Sequence, residues 1–244
     1  MARRGTWTFL DQGTRGIKHV HLATQVDATR MTQARTDSAA ELGYVAMVVA
    51  AVAGVVAKHP AGRTVLRTGP RGPRFTEMAD VQAKVLLDRT WDGVRCVLPC
   101  TIEAAQRLSA DQIQQTIDRY RQAPLDGAGP LADLVRLQHL PLPLVRLAYR
   151  IAAMRPAWRA RVQGTVAVTS VGQEAVTLIH PLISGALGFG IGHIEATPLV
   201  KSGAVVVAPA FMLTLAFDHR VIDGAPAAEL LAEVKERLEN WSPR

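Results

Sequence analysis

The chain has 244 residues, of which 48% are hydrophobic and 20% charged, and no Ser/Gly-rich or low-complexity stretch divides it; one domain, 1–244, with a large core is expected. A net charge of +7 invites a nucleic-acid partner, but aromatic residues make up only 5% and no helix-turn-helix, zinc-finger or RNA-recognition spacing appears, so anionic small molecules suit the charge as well. The two cysteines, Cys96 and Cys100, have no second Cys/His pair to complete a zinc site and read as reduced, packed thiols of a cytoplasmic protein.

Arg3 and Arg4 are followed by no apolar signal core, and the longest apolar run, 45–57, covers 13 residues where a membrane span needs about 20. Residues 19–26 alternate, with Val20, Leu22, Thr24 and Val26 on one face, which predicts a strand. His19 and His21 share its other face, but no third ligand accompanies them, so no metal is expected. Residues 28–40 read as a helix, and 41–59 as a second, more buried one that Pro60 ends. The Arg-, Gly- and Pro-rich stretch 63–74 predicts a loop. Runs 83–87 and 94–98 flank Asp92-Gly93 as a hairpin, with Pro99 stopping its second strand, and 109–121 is an amphipathic helix with Ser109 as N-cap.

Residues 131–163 carry Arg136, Arg146, Arg150, Arg155, Arg159 and Arg161 against a single acid, Asp133. Pro141 and Pro143 break the segment into two amphipathic, basic pieces. Such pieces can dock an anion, an acidic carrier protein or a membrane face. A helical pair packed on the core or on another subunit is the simpler reading, since amphipathic helices are ordinary core elements. Residues 187–192 alternate glycine with apolar residues, without dinucleotide-loop spacing, and suit close backbone packing.

The most informative run comes last. Phe211, Leu213, Leu215 and Phe217 alternate along a half-buried strand, and Gly224 and Pro226 open a helix with Leu230, Leu231, Val234 and Leu238 at helical spacing. Between them lies Asp218-His219-Arg220-Val221-Ile222-Asp223-Gly224. It sets a histidine that titrates near neutral pH on a strand-to-helix turn, with a carboxylate four residues on.

The string FMLTLAFDHRVIDGAPAAELL resembles the His-x-x-x-Asp-Gly signature of the chloramphenicol acetyltransferase-like fold. As DHRVIDGA it is similar to the catalytic domain of the dihydrolipoamide acyltransferases of 2-oxoacid dehydrogenase complexes. HVHLATQVDATRM resembles that family's opening strand and helix, and DVQAKVLLDRTWDGVRCVLPCTIEAAQRLSADQI its central strand pair and following helix. The likeness is colinear from about His19 to Leu238; 131–163 departs as a basic helical insertion longer than the family's usual connection.

The resemblance implies a two-layer α/β sandwich, a mixed sheet with covering helices. It implies a homotrimer with active sites at subunit interfaces. His219 would deprotonate the acceptor and reprotonate the leaving thiolate, and Asp223 would organise the site, often through an arginine. Residues 164–172 resemble the strand whose serine donates to the oxyanion across a subunit boundary; Thr169 takes that serine's place and Ser170 the next, and one of the two faces the site. No Gly-x-Ser-x-Gly elbow is present, so direct transfer is expected. The implied co-substrate is coenzyme A or acetyl-CoA, with its contacts unassigned, no metal, and no lipoyl group on this chain.

The leading expectation is transfer of an acyl group, acetyl first among them, from coenzyme A to a small-molecule or carrier-bound hydroxyl in specialised biosynthesis of the tetronate type. The alternatives are the lipoyl-dependent core of a 2-oxoacid dehydrogenase complex, with its lipoyl domain supplied in trans, and a non-enzymatic scaffold.

Overall fold

Alternating and continuous apolar runs build a sheet and the helices that cover it. The computed structural model describes residues 9–37, 42–69 and 72–242. Strand β1 (His19–Asp27) leads to helices α1 (Thr29–Asp37) and α2 (Tyr44–Val56). Two hairpins follow, β2 (Thr64–Gly69) with β3 (Gly72–Glu77), and β4 (Ala83–Trp91) with β5 (Val94–Ile102). Helices α3 (Ala110–Gln122), α4 (Ala132–His139), α5 (Leu142–Met154) and α6 (Pro156–Gln163) precede β6 (Val166–Ser170), β7 (Leu187–Ile191), β8 (Glu195–Lys201), β9 (Ala204–Asp218) and α7 (Gly224–Glu239).

The main sheet is mixed, in the order β1-β9-β7-β6-β4-β5, with β8 paired to the first half of β9. Only β4–β6 and β6–β7 are parallel pairs. The core fills the space between one face of this sheet and helices α1, α2, α3 and α7. There Phe211, Leu213, Leu215 and Phe217 of β9 meet Leu230, Leu231, Val234 and Leu238 of α7. Helix α2 is apolar nearly all round and is correspondingly buried. Its Gly54 admits the Arg237 guanidinium, whose Cζ lies 3.1 Å from where a Cβ would stand. Ser109 caps α3 through a reciprocal capping box with Gln112.

The opposite face is crossed by the coil through 177–183, and the alternating glycines of 187–192 make room for it. A Cβ on Gly190 would collide with the Ile179 carbonyl, and one on Gly192 with that of Thr177.

Three sequence expectations are corrected. The expected loop at 63–74 contains the β2–β3 hairpin: Val65 pairs with Thr76 and Leu66 with Phe75, an apolar run too short to stand out against the Gly and Arg content. Pro99 does not end β5, which continues to Ile102; β5 is an edge strand, where a missing N–H is tolerated. Cys100 therefore sits within β5, fully buried, and burial pushes its thiol up to about 12 despite nearby Arg119. Segment 131–163 forms three helices, because Pro143 lies in the first turn of α5, where proline is accepted, and a further break falls before Pro156. The expectations for 1–8, 38–41 and 70–71 lie outside the described residues.

Candidate active site

Strand β9 ends at Asp218, and the chain turns there into α7. The turn is held from several sides. Asp218 N–H donates to the Ala186 carbonyl at 3.0 Å, and His219 N–H donates to the Lys18 carbonyl at 2.9 Å. The Asp218 carboxylate accepts from the Lys18 amide at 3.3 Å and the Arg220 amide at 3.1 Å. It also receives the Arg220 fork, Nε at 2.9 Å and Nη2 at 2.6 Å. Asp218 is only 3% exposed. Burial works to raise its pKa, but the Arg220 hydrogen bonds prevail and hold the carboxyl below its ordinary value. Arg220 is raised in return, chiefly by its hydrogen bonds to Asp218.

This arrangement leaves His219 on the outer side of a braced turn. Its ring packs 5.7 Å, centroid to centroid, from that of Phe217, and 46% of its side chain is open to solvent. Asp223 is the N-cap residue of α7 but makes no side-chain cap bond. Its Oδ1 instead lies 3.5 Å from His219 Nδ1. The sequence left open which arginine partners Asp223; Arg220 engages Asp218 instead. The sequence alone does not single out the Asp218–Arg220 pair, although an Asp and an Arg two apart on a tight turn can reach each other.

Thr169 and Ser170 lie at the far end of β6. Thr169 is in register with Gly190, and Gly190 with Thr214, four residues upstream of Asp218. At ~3.4 Å per residue and ~4.8 Å per strand, Thr169 is on the order of 15 Å from Asp218 in the same chain. One chain therefore does not bring Thr169 to His219. Ser170 Oγ accepts from the Gly172 amide at 3.1 Å in a local turn, whereas the Thr169 hydroxyl makes no hydrogen bond among the described residues.

Beside the turn, His19 lies opposite Asp218, His21 is stacked along from it, and the His180 ring sits 4.8 Å from that of His21. Burial lowers the pKa of both strand histidines; for His21 the neighbouring His180 and His19 lower it further. Among the described residues, no group of three or more His, Cys, Asp or Glu side chains is placed to hold a metal ion.

The sheet order and the covering helices define a two-layer α/β sandwich, with His219 on the turn that ends β9. The solved chloramphenicol acetyltransferase shares the fold, with a TM-score of 0.53 over 97% of this chain and 94% of its own at 14% identity. A probable dihydrolipoamide acetyltransferase from Listeria monocytogenes superposes with a TM-score of 0.69 over 98% of this chain and 91% of its own, at 21% identity. A truncated catalytic core of a 2-oxoacid dehydrogenase complex from Thermoplasma acidophilum gives 0.68 over 98% and 94%, at 19% identity. At these identities the likeness speaks for the fold.

The more particular match comes from sequence. Residues 146–243 match the family of 2-oxoacid dehydrogenases acyltransferase catalytic domains. The dihydrolipoyllysine-residue acetyltransferase component of the Staphylococcus aureus pyruvate dehydrogenase complex is 36% identical over 78 residues, and the match covers 31% of this chain but only 18% of that protein.

Proposed function

We propose that this chain is an acyltransferase catalytic module that moves a short acyl group between coenzyme A and the thiol of a lipoyl group carried on another segment or chain. The observation that carries the reading is His219 itself. It stands solvent-accessible on a turn braced by Asp218 and Arg220, with Nδ1 facing Asp223. An Azotobacter vinelandii dihydrolipoamide acetyltransferase has been studied for the roles of a serine, and of a histidine and an asparagine four residues apart, in its catalytic mechanism. His219 and Asp223 reproduce that spacing, with an aspartate in place of the asparagine.

In this reading Asp223 fixes the tautomer of His219, leaving Nε2 free to take the proton of the incoming thiol. The thiolate attacks the thioester carbonyl, and Thr169 of a neighbouring subunit donates its hydroxyl to the resulting oxyanion. Collapse breaks the carbon–sulfur bond, and the departing thiolate takes its proton back from His219. A site shared in this way needs a second chain to bring Thr169 to His219, and a homotrimer with interfacial sites is the assembly that the resemblance implies. We read 1–244 as one catalytic domain of a cytoplasmic protein, in which the basic segment 131–163 runs into the stretch that matches the family model from residue 146. The curated relatives favour the lipoyl thiol over the small-molecule hydroxyl as acceptor.

Acetyl-CoA offered with dihydrolipoamide, and separately with a panel of hydroxylated metabolites, distinguishes the acceptors by the rate of coenzyme A release. Transfer to dihydrolipoamide, reduced about a thousandfold by His219→Ala, is expected. Transfer confined to hydroxyl acceptors, or an undiminished rate in His219→Ala, would overturn the proposal.

A further inference from the structure

We propose that the outer face of α5 and α6 docks on an anionic lipid surface. This inference does not depend on the acyl-transfer reading. The helices carry two apolar faces. One, including Val145 of α5 and Ala160 of α6, is buried against the body of the protein. The other holds Leu144, Leu147, Ile151 and Met154, spaced three or four residues apart, and continues into Trp158. These five are 49–57% exposed, where a surface helix of a globular protein ordinarily carries polar residues.

The segment is pinned to the body, so the exposed face has a fixed orientation. Lys84 Nζ donates to the Val162 carbonyl at 2.9 Å, Arg159 Nη1 to the Leu66 carbonyl at 2.7 Å, and Arg67 to the Met154 carbonyl. Phe75 of the adjoining β2–β3 hairpin adds a further large apolar side chain, 56% exposed.

Charge selects the occupant. Exposed Arg150 and Arg155 border the stripe and make no ion pair among the described residues, and the single acid of 131–163, Asp133, pairs with Arg136. A second copy packed face to face would set these arginines against their own counterparts. An anionic bilayer satisfies both features: aliphatic and indole groups enter the acyl boundary while guanidinium groups meet phosphates. No described helix is long and apolar enough to cross a membrane, so the element would lie on the surface.

The test is co-sedimentation of the full chain with vesicles of phosphatidylcholine containing one third phosphatidylglycerol, against phosphatidylcholine alone. Salt-sensitive binding to the anionic vesicles only is expected, weakened about thirtyfold by Arg150→Gln with Arg155→Gln. Leu147→Ser with Ile151→Ser should weaken it at least about tenfold. A blue shift of indole emission on anionic vesicles, lost in Trp158→Phe, reads the same event without a destabilising substitution. Absence of binding to the anionic vesicles would overturn the proposal, as would equal binding to neutral ones. So would stripe variants that dissociate the native oligomer while vesicle binding is absent, which would make this face a contact between copies.

Discussion

Asp218→Asn is the most informative single change, because Asp218 positions His219 without being placed to touch substrate. Its carboxylate accepts from two backbone amides and from two nitrogens of Arg220, at 3% exposure. Breaking a buried ion pair from one side costs about 3–5 kcal/mol. The Arg220 side chain is 31% exposed, so water offsets part of the loss and about 2–3 kcal/mol is expected. For a domain of this size that corresponds to a fall in Tm of about 5–10 °C. The turn also sets His219, and a displacement of about 1 Å would lower the transfer rate about a hundredfold. Because the folded-state pKa of Asp218 is depressed, its contribution is full above the ordinary carboxylate range and is lost as pH falls through the folded value. Thermal unfolding of wild type and variant at pH 7, and again in acid, measures this directly. The gap should narrow in acid, and Asp218→Asn with Arg220→Met should recover part of the loss at pH 7. An unchanged Tm at pH 7, or a gap independent of pH, would refute the reasoning.

Lys84 is buried, and burial lowers its pKa to about 7. Its folded value lies below its unfolded one, so wild-type stability should rise by about 1.4 kcal/mol per pH unit from about pH 7 toward the usual lysine range. Denaturant titrations of Lys84→Met should show no such rise; parallel curves for the two proteins would contradict the assignment. Thr169→Val should lower kcat about a hundredfold or more with little change in KM, the loss of one oxyanion donor. Ser170→Ala, which removes only a turn hydrogen bond, should cost about 1 kcal/mol of stability and leave kcat near wild type. Steady-state kinetics showing the reverse pattern would move the donor role to Ser170.

What the sequence makes legible here is local. Period-two alternation at 211–217 identifies β9 and its core face, the Asp92-Gly93 pair identifies the hairpin, and Ser109 identifies the start of α3. His219 and Asp223 are readable because both belong to one turn. The β2–β3 hairpin is hidden because its apolar part is only Val65-Leu66 facing Phe75, within a stretch dominated by Gly and Arg. Pro99 misleads because edge and interior strands look alike until the sheet order is known. The Asp218–Arg220 brace was readable in spacing but not in direction. The approach of His180 to His21 is a product of the 177–183 crossing, which no local pattern encodes beyond the glycines that permit it.

The proposed site is shared between chains, with His219 from one and Thr169 from another. Its most direct test mixes inactive His219→Ala with inactive Thr169→Val protein under conditions that exchange subunits, with distinct tags to show that mixed oligomers formed. About a quarter of wild-type activity should return, because random mixing in a cyclic trimer pairs an intact His219 with an intact Thr169 at about one interface in four. Mixed oligomers that remain inactive would contradict the shared site.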